Sequence, residues 1–458
     1  MNLLHINDRR GEWPASYYAA TAAPIDRFPV LKGATKADVC VVGGGYTGLS
    51  AALHLAQKGY DVVLLEAHRV GFGASGRNGG QVGSGQRQDQ VWIEKTVGRE
   101  NAHRLWDLAE EAKTLVRDHA MPVTFHPGIA HACRSEAEVR ETHAYAEKLH
   151  RDYGYEHLEP LDRTGIRRLI GSTDYVGGEV DRDAGHLHPL NYAIGLAQEA
   201  AKAGVRIHEG SEVHRVEPGP RPVVRTPSGH VDCATVILAG NGYLGQLNEK
   251  VAAKVMPINN FIVATEPLGE RARDLLAEPV AVADTRFVVN YWRLSEDNRL
   301  LFGGGESYGY RFPDIIRTVS KPMLQVYPQL AKTRITHAWG GTLAITVNRM
   351  PCFTRPGQNI LSASGYSGHG VAMATLAGKL MAEATAGQQE RFDLMASLPQ
   401  HRFPGGVALR WPLLVTAMTW FAMRDLLGIG SDGSGGQLPH PRDICGQKMG
   451  WVRPIFCP

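Results

Sequence analysis

Three glycines point to the first chemistry this chain can do. Gly43, Gly45 and Gly48 stand in the string GGGYTG at 43–48, a G-x-G-x-x-G. Gly43 permits a tight turn, Gly45 lets a pyrophosphate approach the backbone, and Gly48 lets a helix lie close to a strand. A helix opening at Tyr46 and Thr47 turns free N–H groups and a positive dipole end toward phosphates. Glu66 stands at the end of the next expected strand. There a carboxylate accepts the two hydroxyls of an adenosine ribose and repels a 2′-phosphate. A glycine-rich turn without a ligand has the same bare spacing. The strand, helix and acidic residue around it point to dinucleotide binding.

Two further strings bear on which dinucleotide. GFGASGRNGGQ fills 71–81, almost directly after Glu66. A simple nicotinamide fold is expected to enter another helix there. A small-residue loop with Ser75, Arg77, Asn78, Gly79 and Gly80 can instead wrap a longer cofactor, and an ordinary mobile loop is the plain alternative. LSASGYSGHG fills 361–370 and reads as a second strand-to-helix junction, with Gly365, Gly368, His369 and Gly370 at the turn. Its N–H groups suit an anionic centre such as the N1/O2 edge of a reduced flavin. A glycine-rich helix start is the simpler reading. Two such junctions at opposite ends of one α/β fold weaken it, and the pair favours FAD over NAD.

These residues need elements to hold them. Residues 37–42 form an apolar run suited to a buried strand, and Leu49, Ala52, Leu53 and Ala56 recur at helical spacing. Gly59 ends that helix and 61–65 is a second strand, which completes a β-α-β unit. Helices are expected over 94–119, 135–153, 191–203 and 371–385, and short strands at 205–208, around Val213 and Val223, at 236–239 and at 359–362. Residues 256–335 turn β-rich, with runs at 261–265, 287–292 and 300–303. An irregular arm to about residue 36 offers Trp13, Tyr17 and Tyr18 for packing. The expected class is α/β. A Rossmann-like FAD-binding domain is built from discontinuous segments (1–90, 170–255 and 336–395). A β-sheet-based α+β substrate domain takes 91–169 and 256–335, a helical segment takes 396–427, and 428–458 is a loose tail.

Composition narrows the classes. The 458 residues are 43% hydrophobic and 21% charged, which fits a globular fold. A net charge of +3, without a basic stripe, gives no case for nucleic-acid binding. The six cysteines are scattered with no CxxC pair, so reduced thiols in a cytoplasmic protein are expected and no metal site. The first ten residues lack a signal-peptide core. The most apolar stretch, 411–423, is shorter than the roughly 20 residues a membrane span needs. No transmembrane span is expected.

The chain resembles the D-amino-acid-oxidase-like family of FAD enzymes, and within it the gamma-glutamylputrescine oxidases. The likeness covers roughly residues 10–427. It is carried by DVCVVGGGYTGLSAALHLAQKGYDVVLLEAHRVGFGASGRNGGQ, DRDAGHLHPLNYAIGLAQEAAKAGVRIHEGSEV, LLFGGGESYGYR and SASGYSGHGVAMATLAGKLMAE. The resemblance implies that Val213 lies beside the adenine, Gly240 near the adenosine end, and 77–81 close to the flavin ring. It implies that 365–370 covers the pyrimidine edge and that 256–335 walls the substrate pocket. It implies hydride transfer from the α-carbon of a small amine, gamma-glutamylputrescine above others, to the flavin. The imine then hydrolyses to aldehyde and ammonia, and O2 reoxidises the flavin to give hydrogen peroxide.

Beyond the cofactor loops, His369 could donate to the flavin or assist reoxidation; it could equally cap its helix. Gln81 could face flavin or substrate, or merely bond within its loop. Tyr291, Trp292 and Tyr308 could wall an amine, since aromatic faces attract cations; core packing is the plainer role. Arg293 or Arg311 could meet a substrate carboxylate, or simply be solvated. Two other functions fit the same sequence. One is a related dehydrogenase passing electrons to a quinone or carrier. The other is a flavin-binding protein without turnover, marked by a blocked pocket in 256–335.

Overall fold

The computed structural model describes residues 2–119, 123–245, 247–286 and 288–406. The apolar stretch at 411–423 and the tail at 428–458 lie outside them.

The first sheet grows from the β-α-β unit. Strand Gly33–Val42 pairs in parallel with Val62–Leu65 on one side and with Gly229–Leu238 on the other. Beyond these, Arg206–His208 and Ile360–Ser364 extend the parallel run, and Cys352–Gly357 closes one edge antiparallel. Where the inner strands lie side by side, at 39–42, 62–65 and 236–238, they are apolar and buried because both faces are covered. On one face helices Tyr46–Gln57, Arg99–His119, Pro189–Lys202 and Gly370–Thr385 share a single apolar core. Gly378 lets two of them meet. A Cβ there would stand 2.5 Å from the carbonyl oxygen of Thr47.

This topology joins the two glycine strings. Strand Ile360–Ser364 lies in register with Gly229–Leu238, which lies in register with Gly33–Val42. All three run the same way, so the turns after Val42 and Ser364 open at one edge of one sheet. The Ser50 hydroxyl donates to the carbonyl of Thr375 at 2.6 Å and ties the two following helices together.

A second sheet is antiparallel but for the pairing of Ala281–Asp284 with His126–Cys133. It holds nine strands among the described residues. Its membership corrects the expected boundaries. Gln81–Val82, Gly177–His186 and Ile335–Ile345 belong to this sheet, although 1–90, 170–255 and 336–395 were expected in the cofactor unit. Conversely, helix Arg99–His119, expected with the substrate unit, buries Leu105, Leu108, Ala112 and Val116 against the helices of the first sheet. Each segment follows the sheet or core that hides its apolar face, and the chain crosses between the two several times.

Local expectations fare better. The 94–119 helix is two helices, Gln90–Val97 and Arg99–His119, parted at Gly98 with φ 80°. Around Val213 the chain is irregular and the strand runs Arg215–Glu217. The run expected at 287–292 is the strand Tyr291–Leu294. The N-terminal arm packs as expected: Tyr17 and Tyr18 are buried, and the Trp13 indole donates to the carbonyl of Val70.

Candidate active site

A cleft of about 1290 Å³ opens along the edge of the first sheet where Val42, Leu65 and Ala239 end their strands or follow them. Pockets for drug-sized ligands span roughly 300–1,000 Å³, so this one has room for a long cofactor and a second molecule. The Ser211 N–H donates to the carbonyl of Glu66 and brings Glu212, Val213 and His214 to one end of the cleft. Gly79, Gln81 and Tyr291 lie toward the other.

The glycine cradle has no space for side chains. A Cβ on Gly43 would lie 2.8 Å from the Ala239 carbonyl oxygen, one on Gly45 2.8 Å from the Ser75 hydroxyl, and one on Gly48 1.9 Å from the Gly43 carbonyl oxygen. Gly43 also sits at φ 111°, which other residues rarely adopt. The helix beginning at Tyr46 therefore comes down onto the turn, and the N–H groups of Thr47 and Gly48 have no carbonyl one turn earlier to bond.

Glu66 accepts from the Gly44 N–H at 2.7 Å and the His68 N–H at 2.9 Å, one bond to each carboxylate oxygen. Burial pushes its carboxyl up to about 7, against those two donors. Each oxygen keeps a further lone pair for a hydroxyl.

In the 71–81 loop, several polar candidates turn out to hold the loop itself. Asn78 donates to the carbonyls of Ala74 and Ser75 and accepts from the Gly80 N–H. Ser75 accepts from the Tyr46 N–H at 3.0 Å and so locks the loop to the helix start. Arg77 is buried, paired with Asp8 of the N-terminal arm and bonded to the carbonyls of Phe72 and Gly340. Its Nη2 is buried beside the cleft without a partner in the protein. That donor fits an anionic or carbonyl group in the cleft.

At the second junction, Gly365 and Gly368 have positive φ, and Gly368, His369 and Gly370 line the cleft. His369 occupies the N-cap position but makes no capping bond. Its Nε2 lies 3.0 Å from the Gly85 carbonyl, which can only accept, so this nitrogen carries the proton. Burial, reinforced by Arg87, lowers its pKa to about 4. His369 is thus a neutral imidazole near pH 7 and not a ready acid.

On the second sheet the Tyr291 ring lies over Gly303, where a Cβ would come within 2.1 Å of it, and against Gly79. Its hydroxyl donates to Asn260 at 2.6 Å. Gln81 donates to the carbonyl of Val282 and lines the cleft. Tyr308 stands behind Glu306, to which it donates at 2.9 Å, and it is Glu306 that lines the cleft. Three candidates are corrected. Trp292 is buried in the core against Phe302 and Tyr327 and does not line the cleft. Arg293 is spent on the carbonyls of Gly79, Leu187 and Leu294 and on Tyr18, because a buried guanidinium must use its donors nearby. Arg311 is exposed and away from the cleft wall. Residues that sequence reasoning passed over take their place: Arg87, His131, Asn260, Glu306 and Arg349 all line the cleft. Glu306 follows the glycines of LLFGGGESYGYR, but neither it nor the other four carries a spacing that marks it as part of a site.

The cradle, Glu66, the unused donor of Arg77 and the length of the cleft fit an extended dinucleotide. Comparison with known proteins decides which. A model of the family described as FAD dependent oxidoreductase matches residues 38–384. The chain belongs to this family. The protein is therefore an FAD-dependent oxidoreductase, and its cofactor is FAD. It is 42% identical to gamma-glutamylputrescine oxidoreductase of Escherichia coli (strain K12), over 91% of this chain and 100% of that one. It is also 42% identical to the probable oxidoreductase OrdL of Rhizobium meliloti (strain 1021), over 90% and 97%. Its fold matches glycine oxidase from Geobacillus kaustophilus with a TM-score of 0.68 at 20% identity, covering 80% of this enzyme and 99% of that chain. Among the described residues of the enzyme no helix is long and apolar enough to cross a membrane. No group of three His, Cys, Asp or Glu among them could hold a metal ion. Cys40, Cys133, Cys233 and Cys352 are free and buried.

Proposed function

We propose that the enzyme oxidises gamma-glutamylputrescine at its free primary amine. The products are the aldehyde, ammonia and, with O2 as acceptor, hydrogen peroxide. The observation that carries this reading is the 42% identity to the Escherichia coli gamma-glutamylputrescine oxidoreductase across nearly the whole chain. In the same reading Gly43, Gly45, Tyr46, Thr47 and Gly48 hold the pyrophosphate, and Glu66 holds the adenosine ribose. Val213 and Gly240 lie along the adenosine. Ser75, Arg77, Asn78, Gly79 and Gly80 follow the chain of the cofactor, and Gly365, Gly368, His369 and Gly370 face the flavin ring. The first sheet and its helices act as the cofactor unit and the second sheet as the substrate unit. A cytoplasmic location fits the four free, buried cysteines.

FAD supplies a hydride acceptor and a route for two electrons to O2. The protein holds the amine unprotonated and its α-carbon in place, and keeps bulk water away. Tyr291, fixed by Asn260, offers an aromatic wall for the amine end. No protein base is needed, since the neutral amine's own lone pair drives hydride loss. The water that hydrolyses the imine enters after transfer.

The test is anaerobic mixing of the yellow enzyme with gamma-glutamylputrescine, putrescine, sarcosine, glycine and D-alanine. Fast bleaching by gamma-glutamylputrescine, recovery in air and peroxide release are the expected outcome. A preference for any of the three amino acids discards the substrate. Bleaching that air does not reverse, but a quinone does, replaces the oxidase with a dehydrogenase.

A further inference from the structure

Gamma-glutamylputrescine carries, far from its reacting amine, a head with one carboxylate and one ammonium group on the same carbon. Apart from the glycine cradle, charges of both signs line the cleft where Arg286 pairs with Asp284 and where Arg87, Arg349 and Glu306 stand. Four arginines line the cleft: Arg77, Arg87, Arg286 and Arg349. Arg77 is held by Asp8, and Arg286 by Asp284 and Asp174. The other two face a different neighbourhood. Arg87 is fixed to the cleft wall by its Nε, which donates to the Ser367 carbonyl at 3.1 Å.

Arg349 sits at φ 65°, a conformation uncommon for a residue with a side chain. Such a conformation persists only where the surroundings over-determine it. Here Thr346 donates to the carbonyl of Met350 at 2.7 Å, and the Met350 N–H donates to Asn348 at 3.2 Å. Asn348 is anchored in turn to the carbonyl of Pro399. The turn holds Arg349 at the cleft wall.

Burial lowers the pKa of both arginines, and Arg349 pushes Arg87 down further, to about 10. The two side chains rise from neighbouring turns: the Gln88 amide donates to the Asn348 carbonyl at 3.0 Å, and Ser367, whose carbonyl holds Arg87, accepts from the Thr346 N–H through its hydroxyl. An anion between two such guanidinium groups relieves their repulsion. Glu306 lines the same cleft, at the end of strand Leu300–Ser307 and braced by Tyr308. Burial raises the pKa of its carboxyl, opposed first by the Tyr308 hydrogen bond and then by the charge of Arg349.

We propose that Arg87 and Arg349 bind the α-carboxylate of the substrate's glutamyl head while Glu306, braced by Tyr308, binds its α-ammonium. These residues read the head as a zwitterion and leave the free amine end to reach Tyr291. They set specificity and do not touch the reacting carbon. The inference rests on gamma-glutamylputrescine being the substrate.

The experiment uses the FAD-loaded enzyme and four amines. These are gamma-glutamylputrescine, its analogue without the α-carboxylate (4-aminobutanoyl-putrescine), its analogue without the α-ammonium (glutaryl-putrescine), and putrescine. Arg349→Gln and Arg87→Gln should each raise KM for the two carboxylate-bearing amines by ~10- to 100-fold, the worth of a charge-assisted hydrogen bond. They should leave 4-aminobutanoyl-putrescine within about twofold. Glu306→Gln should show the mirror pattern, harming the two ammonium-bearing heads and sparing glutaryl-putrescine. Arg349→Lys keeps the charge and should fall between, and it carries the test if Arg349→Gln does not retain FAD. An equal loss on all four amines, or a shifted flavin reduction potential with head preference intact, would overturn the subsite and give the arginines to the cofactor. A wild type that favours gamma-glutamylputrescine, with variants that keep that preference, sinks the subsite alone. A wild type indifferent to the head sinks the substrate reading and the subsite together.

Discussion

A methyl group at Gly48 would sit 1.9 Å from the Gly43 carbonyl oxygen, inside any tolerable contact. The clash is with backbone, so no rotamer relieves it. Gly48→Ala should yield a colourless protein, because the helix must lift from the turn that receives the phosphates; the check is FAD released on denaturation. Glu66 is a subtler residue. Its two oxygens already accept from Gly44 and His68, so it shapes the turn as well as facing the ribose. Glu66→Ala should weaken FAD binding by about 1–3 kcal/mol, measured as the change in FAD Kd. An unchanged Kd would leave Glu66 with the turn only. His369 shows where sequence reasoning stops. Its type and position suggest an acid or a cap, but the buried ring bonds the Gly85 carbonyl and stays neutral.

At the scale of elements, the N-terminal arm has a larger part than its sequence suggests. Asn2 and His5 bond Glu212 beside one end of the cleft, Asn7 donates to the carbonyl of Tyr310 and accepts from the Phe312 N–H, and Asp8 pairs with Arg77. The arm thus ties the loop after the first sheet to the loops of the second. The Asp8–Arg77 pair is nearly dry, with 8% and 1% of the two side chains exposed. Asp8→Ala would strand a buried guanidinium, at a cost of about 3–5 kcal/mol. Thermal unfolding should show that loss, and FAD should leave the variant faster. A variant as stable as the wild type would mean that Arg77 finds another anion.

For the whole molecule, histidines held away from water contribute to the acid response. His54, His68, His188 and His369 are all lowered from 6.5 to about 4, in each case chiefly by burial. Their folded pKa lies below the unfolded value, so between pH 6.5 and 4 the unfolded chain binds more protons. Stability should therefore fall as pH drops through that window. Glu179 works the other way. Burial and then Asp181 raise it from 4.5 to about 8, so its contribution is full below 4.5 and is lost as pH rises through 8. Tm should peak between these limbs. Glu179→Gln should make the alkaline limb shallower, with Glu66, raised to about 7, keeping part of it, and leave the acid limb, which a series of melting curves from acid to alkaline pH would read directly.

What the sequence determined by itself was local. The helix over Tyr46–Gln57 and the approach of Gly48 to the Gly43 carbonyl are set within a few residues, and spacing displays such contacts, although Gly43, Gly45 and Gly365 also meet distant segments. The helix Glu136–Tyr153 even announces its cap at Ser135. Only the tertiary structure decided which sheet each segment joins. A strand such as Ile335–Ile345 carries no mark of its partner; it follows Met256–Thr265 because that pairing hides its apolar face. The same holds for the pocket. Trp292 and Tyr291 are neighbours of similar type, yet strand alternation sends one into the core and one to the cleft. Arg87, Glu306 and Arg349 come from three distant segments. Their charges acquire meaning only when burial removes water and brings them to face one another.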